Sequence, residues 1–278
     1  MKETMRATTS LCTYDVVDGV ATISFNRPEN MNGMIGNMEV EYFRRLLEAE
    51  ADTEVRVIVL TGNGRAFCPG ADLANQRSEG DQPLPNAGIP TTTPLHIAKP
   101  MVAAINGACA GVGLAYALQC DVRIAAAGVK FTTAFARRGL IGEYGMPWLL
   151  TQIAGRAVAL DLLVSGRVFL ADEALRLGLV SQVVEPDELA ETALAYALDV
   201  ASNVSPASMA TIKRQVNEQA GMSADEAMAH SDALMRQSLL GVDVGEGIAS
   251  FLERRQVNFP PLGEGTVYPW MEGSRAVK

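Results

Sequence analysis

Histidine is nearly missing from this 278-residue chain: His96 and His230 are the only two. No serine stands in a G-x-S-x-G elbow, so a serine–histidine hydrolase triad has little to be built from. Two isolated histidines without clustered acidic or cysteine partners give no metal site either. Cysteine is also scarce. Cys12, Cys68, Cys109 and Cys120 are too few and too scattered for a disulfide scaffold or a C-x-x-C site, which suits a reducing compartment. Basic residues are outnumbered, 23 Lys and Arg against 32 Asp and Glu, for a net charge of −9. That sign opposes phosphate-backbone binding, so nucleic acid is not an expected partner. No G-x-x-x-x-G-K-[ST] run occurs, and Gly62-Asn63-Gly64-Arg65-Ala66-Phe67 lacks the third glycine of a dinucleotide fingerprint.

The first thirteen residues carry no apolar run of the kind a secretory signal needs, and a cytoplasmic location is expected. Met101 to Cys120 is free of charge over twenty residues. It is rich in alanine and glycine, carries Asn106 and Gln119, and is broken by the turn dipeptide Asn106-Gly107, so no membrane span is expected there. Apolar residues at 48% and charged residues at 20% describe a chain able to build a core, in one large domain or two small ones.

Alternation around Asp18-Gly19 predicts a hairpin with Tyr14 and Val16 on one side of the turn and Val20 to Phe25 on the other. Asn32 is placed to cap a helix running to about Ala51, with Met34, Met38, Phe43, Leu46 and Leu47 on its apolar face. Short apolar runs at 55–60, 100–105, 122–125 and 179–184 read as strands buried on both faces. Strands alternating with helices predict an α/β fold of successive β-β-α units rather than two independent sheets. Residues 74–99 hold Pro83, Pro85, Pro90 and Pro94 and read as a mobile loop beside a site. From Ala207 the pattern is helical, over 207–220, 223–240 and 245–256, with breaks at Gly221 and Gly241. The expected organisation is a core over 1–205, a helical region over 206–260 and a tail over 261–278.

Two glycine turns carry the chemistry. Ala66-Phe67-Cys68-Pro69-Gly70-Ala71-Asp72-Leu73 follows one buried strand, and Asn106 to Leu114, with Gly111 and Gly113, follows the next. Glycine lets backbone approach a ligand closely, and Val112 N–H would stand at the first turn of a helix, where negative charge is favoured. Ala71 N–H could supply a second donor, and two such donors stabilise an enolate oxygen developing on a thioester carbonyl. The same residues also read as plain tight strand-to-helix turns.

Asn26-Arg27-Pro28, Ala66-Phe67 with Gly70-Ala71-Asp72-Leu73, Lys99-Pro100 with Ile105-Asn106-Gly107, Cys120-Asp121 and Gly178-Leu179-Val180 occur in an order and spacing that resembles the enoyl-CoA hydratase/isomerase family, the crotonase superfamily, from about Tyr14 to Phe259. The resemblance implies a crotonase-like spiral of β-β-α units, a helical C-terminal trimerisation region (a homotrimer, often stacked into a hexamer) and acyl-CoA thioester substrates. Coenzyme A would arrive as part of the substrate, with no separate cofactor. By the same resemblance, Ala71 and Val112 carry the oxyanion-hole amides. Arg27, Pro28, Ala66, Gly70, Asp72, Leu73 and Gly111 border the substrate.

The chain departs from the family pattern where typical hydratases hold two glutamates: Ala115 and Phe135 stand there, and neither holds a proton. Glu143, in Gly139-Leu140-Ile141-Gly142-Glu143-Tyr144-Gly145, stands two turns on, where several isomerase and dehalogenase members of the family place an acid. An apolar pocket of Phe135, Tyr144 and Trp148 around Glu143 would disfavour its charged form. Glu143 also reads as a solvated loop residue, and Arg137 and Arg138 as a solvated face. Asp72 reads as a turn residue, and Asp121 and Arg123 as a structural pair. The expected activity is proton transfer of the double-bond isomerase type. Enoyl-CoA hydration and non-catalytic acyl-CoA binding are the alternatives.

Overall fold

The computed structural model describes residues 10–72 and 88–263. Strands β1 (Cys12–Val17) and β2 (Val20–Phe25) pair antiparallel across Asp18-Gly19, both at positive φ, as a two-residue hairpin turn requires. β3 (Val57–Gly62), β5 (Met101–Ile105), β7 (Val122–Ala126) and β10 (Gln182–Val184) then add in parallel, giving the order β1-β2-β3-β5-β7-β10. Every residue of β5 is buried, which accounts for its unbroken apolar sequence.

A second sheet, which the sequence reading did not anticipate, has the order β4-β6-β8-β9. Its strands are β4 (Ala66–Cys68), β6 (Ala108–Ala110), β8 (Lys130–Thr132) and β9 (Phe169–Leu170). The two sheets are built in step: β3 leads to β4, β5 to β6 and β7 to β8, each unit giving one strand to each sheet. The β-β-α repeat and the presence of two sheets are therefore the same fact. Met101 to Cys120, the charge-free run, resolves into β5, β6 and a helix, not one span.

Helix α1 (Gly36–Ala51) lies over the first sheet and buries Met38, Glu39, Tyr42, Phe43, Leu46 and Ala49. It begins after Ile35, and Asn32 does not cap it. The buried Asn32 side chain instead accepts from Arg27 N–H at 2.8 Å and donates to Asn63 O at 2.9 Å and Ala66 O at 2.7 Å, tying three chain reversals together. Of the proline-rich stretch, 74–87 lies outside the described residues, and 88–99 contains a short helix α2 (Thr93–His96).

Helix α3 (Val112–Gln119) is buried on all sides. Helix α4 (Met146–Ser165) is long and apolar enough by composition to cross a membrane, but Gly155 at φ 79, ψ 162 breaks it into two segments. Helices α5 (Ala171–Arg176) and α6 (Leu189–Asn203) follow, and α7 (Pro206–Gln219), α8 (Ala224–Ser238) and α9 (Val242–Glu253) form the helical end. A capping box between Ser223 and Glu226 starts α8. Asp121 pairs with Lys213 of α7 at 2.8 Å rather than with Arg123, whose Nε donates to Leu179 O at 2.6 Å.

Candidate active site

The two glycine turns meet because β4 and β6 are neighbours, with Ala66 opposite Ala108 and Cys68 opposite Cys109. Gly70, at φ +110, is so close to the second turn that a β-carbon there would lie 3.3 Å from Ala110 O. A β-carbon on Gly111, at φ +51, would lie 3.6 Å from the Gly70 Cα. Gly113 presses the first turn of α3 onto β4: a side chain there would meet Cys68 O at 2.1 Å. Glycine at these places is a condition of the two turns touching.

The amides of both turns are held open. Ala71 is the partner of Met34 in a one-residue parallel bridge, in which Met34 N–H donates to Gly70 O and Asp72 N–H donates to Met34 O, both at 2.8 Å. The residue facing such a bridge turns its own N–H away from it, so Ala71 N–H is aimed at the flank where β6 and Gly111 lie. Gly111 N–H donates to Thr132 O at 3.2 Å, and the first helical bond of α3 runs from Ala115 N–H to Gly111 O at 3.1 Å. Val112 N–H, ahead of that bond, is one of the orphan donors of a helix start. Neither Ala71 nor Val112 has an acceptor for its N–H among the described residues.

Beneath the first turn, Arg27 is buried, and its guanidinium donates to Gly33 O and pairs with Asp72 Oδ2 at 3.1 Å. The Arg27 charge is engaged in holding the turn, with Asp72 as its partner. Pro28 is exposed at the start of a single 3-10 turn (Pro28–Asn30) and packs against Gly64, where a β-carbon would lie 2.9 Å from it. Ala66 is buried within β4, and Leu73 lies outside the described residues.

Glu143 sits on the loop between a 3-10 turn (Ala136–Arg138) and α4, with its carbonyl accepting from Met146 N–H at 2.9 Å. Its side chain is exposed. Of the apolar residues expected around it, Phe135 is buried, Trp148 is 48% exposed, and Tyr144 turns inward onto Tyr116, with ring centroids 5.6 Å apart. Burial came out reversed among the carboxyls. Arg137 Nε donates to Ser165 O at 2.9 Å and Arg138 Nη1 to Ala134 O at 3.1 Å, so both arginines brace the loop from outside.

The carboxyl that sequence reasoning missed is Glu39. It is fully buried on α1, bonded to the Tyr116 hydroxyl of α3, and its other oxygen, Oε2, has no hydrogen-bond partner. Loss of hydration raises its pKa, the hydroxyls of Tyr116 and Tyr144 oppose that rise, and the charge of Glu143 adds to it. Burial likewise raises the Tyr144 and Tyr116 phenols. The signal was present in the spacing: 39, 42, 43 and 46 form one helical stripe with Tyr42, Phe43 and Leu46.

A model of the family described as "Enoyl-CoA hydratase/isomerase" matches residues 15–261. A 1,2-epoxyphenylacetyl-CoA isomerase of Escherichia coli is 34% identical over 88% of this chain and 96% of its own length. An enoyl-CoA hydratase structure from Mycobacterium marinum is 48% identical over 75% of this chain and 97% of that one, with a TM-score of 0.66. A probable enoyl-CoA hydratase/isomerase structure from Mycobacterium abscessus is 29% identical over 90% of this chain and 98% of that one, with a TM-score of 0.83. The chain belongs to the enoyl-CoA hydratase/isomerase family and has its crotonase fold.

Proposed function

We propose that this enzyme binds an acyl-CoA thioester with its carbonyl oxygen at Ala71 N–H and Val112 N–H, and that Glu143 moves a proton along the acyl chain. The observation that carries the reading is the pair of unpaired amides on two turns in contact at Gly70 and Gly111. When Glu143 takes a proton from the carbon next to the carbonyl, or from the conjugated γ-carbon, the electron pair moves onto the thioester oxygen. Two fixed donors stabilise that charge without reorganising. Returning the proton at another carbon collapses the enolate and leaves the double bond moved. One carboxylate suffices for this sequence. Coenzyme A travels with the substrate, and no other cofactor enters the scheme.

Ala115 and Phe135 support isomerisation over hydration, since syn addition of water needs an acid and a base about one water molecule. The measurement is exchange of substrate protons with heavy water, followed by NMR. Glu143→Gln is expected to bind acyl-CoA normally and to lose exchange, and undiminished exchange removes Glu143 from the mechanism. Incubation with crotonyl-CoA separates the two reactions: accumulation of the 3-hydroxy product makes the enzyme a hydratase.

The helical end supports self-assembly as a trimer or hexamer. Leu240, Ile248, Phe251 and Leu252 on and before α9 are between 57% and 87% exposed in the single chain. An apolar patch of that kind marks a protein contact.

A further inference from the structure

Gln119 ends α3 on the face that begins at the Val112 amide. Val112, Ala115 and Gln119 share that face, and Gln119 lies about 10 Å along the helix axis from Val112. The residue is 2% exposed. Its Nε2 donates to Thr91 O at 3.1 Å and to Tyr144 O at 3.4 Å, and these two carbonyls fix which end of the amide faces them. The other end, Oε1, is buried and has no hydrogen-bond partner among the described residues. A buried amide oxygen without a donor costs free energy, and methionine would fill the same place without that cost. An acceptor left open in this way is explained by a donor that arrives with a ligand.

The position of the amide says which ligand. In the function proposed above, the thioester oxygen lies at Val112 N–H, at one end of the helix face. At the other end Gln119 is bonded to Tyr144, the neighbour of Glu143. An acyl group with its carbonyl at the first point and its exchanging carbon by the second runs past Ala115, which offers only a methyl group, toward Gln119. The cover over the amide on that side is a surface loop: Gly139, Leu140, Ile141, Glu143 and Gly145 are exposed around Tyr144. A β-carbon on Gly139 or Gly145 would meet nothing within 4 Å. An acyl group that reaches Gln119 therefore displaces a loop and not the core.

We infer that Gln119 is a specificity-determining residue: its Oε1 accepts a hydrogen bond from a hydroxyl on the far part of the acyl group, so the substrate class is a hydroxylated acyl-CoA and not a plain hydrocarbon one. The inference rests on the acyl-CoA placement proposed above. An extended chain advances about 1.2 Å per bond, and helix side chains lean toward the N-terminus, so the hydroxyl belongs about six to eight bonds from the carbonyl.

Titration calorimetry of the full chain with CoA esters tests this without requiring turnover. The pairs are octanoyl-CoA against its ω-hydroxy form, and phenylpropanoyl-CoA against its para-hydroxy form. The hydroxylated member of at least one pair is expected to bind about tenfold tighter, because its plain counterpart leaves the acceptor unpaired. Gln119→Met keeps the length of the side chain and removes the acceptor. It is expected to abolish the preference while the plain esters bind within about threefold of wild type. A wild type that binds both members of both pairs alike overturns the inference whether or not the variant folds, and leaves a buried water as the partner of Oε1. A preference that survives Gln119→Met overturns it as well. Failure of all four esters to bind removes the acyl-CoA placement itself, and the inference with it.

Discussion

Gly113→Ala loads the joint between the two site turns with a defined displacement. The new β-carbon would stand 2.1 Å from Cys68 O, 2.6 Å from Cys68 Cβ and 2.8 Å from the Cys68 carbonyl carbon. Ordinary contact with those atoms needs roughly 1 Å more, and the obstacle is backbone, so the start of α3 must lift from β4. Val112 N–H lifts with it, while Ala71 is kept in place by the bridge that Gly70 O and Asp72 N–H make with Met34. A misplacement of about 1 Å, or the loss of one oxyanion donor, costs on the order of 10²-fold in kcat. Overpacking costs about 1–3 kcal/mol of stability, or roughly 2–4 °C in Tm for each kcal/mol in a chain of this size.

The control is Gly107→Ala, whose β-carbon would meet Arg65 O at the same 2.1 Å, but at the entry of β6 rather than at the exit toward α3. Comparable falls in Tm are expected from both variants by differential scanning calorimetry. Steady-state kinetics is expected to show the large kcat loss for Gly113→Ala alone. Equal kcat losses, or a folded Gly113→Ala enzyme with wild-type kcat, would refute the claim that contact between the turns sets the distance between the amides.

Asn32→Ala strands buried partners at three points and is expected to destabilise by about 2–4 kcal/mol, read from thermal or urea unfolding; a change under about 0.5 kcal/mol would show that the turns hold without it. Because burial raises the Glu39 pKa above its ordinary 4.5, the folded chain binds more protons than the unfolded one above that pH, and stability falls as pH rises through the window up to the folded value. The groups facing that carboxyl are Tyr116, Tyr144, Tyr42 on its own helix and the charge of Glu143. Glu39→Gln should remove this slope, so its Tm relative to wild type climbs as the buffer is taken upward from pH 4; a gap moving the other way contradicts the buried state. Phe251→Glu places a charge on an 82% exposed apolar site of α9 and is expected to dissociate the assembly in sedimentation experiments, whereas a wild-type chain that sediments as a monomer removes the assembly reading.

What could be read from the sequence is what local chemistry decides. The Asp18-Gly19 hairpin needs only two positive-φ residues between alternating strands, and the helices at 206–219, 224–238 and 242–253 show their apolar stripes in any window. The second sheet was out of reach because β9 has two residues and β4, β6 and β8 have three, too short for a period to appear. Asn32 looks like a helix cap and Arg27 like a residue beside the substrate, and neither the Asn32 bond to Ala66 nor the Arg27 pair with Asp72 shows in the sequence, because those partners lie far along the chain. Glu39 was passed over because glutamate is seldom buried, although its place in the stripe with Tyr42 and Leu46 pointed inward.

The site divides along a physical line. The proposed oxyanion donors belong to the main chain, and what they require of the sequence is small residues where β4, β6 and α3 touch, so glycine spacing points to them. The proposed proton carrier belongs to a side chain, and its competence depends on what surrounds it: Glu143 is exposed among the described residues, while Glu39, with a similar side chain, is sealed under Tyr116. No local pattern distinguishes those two environments. In the proposed scheme, a scaffold that supplies its electrophilic stabilisation from backbone can carry Ala115 and Phe135 and use one acid at 143 without altering the turns. The reaction is then set by which carboxylate is held at the acyl chain, and by what holds it.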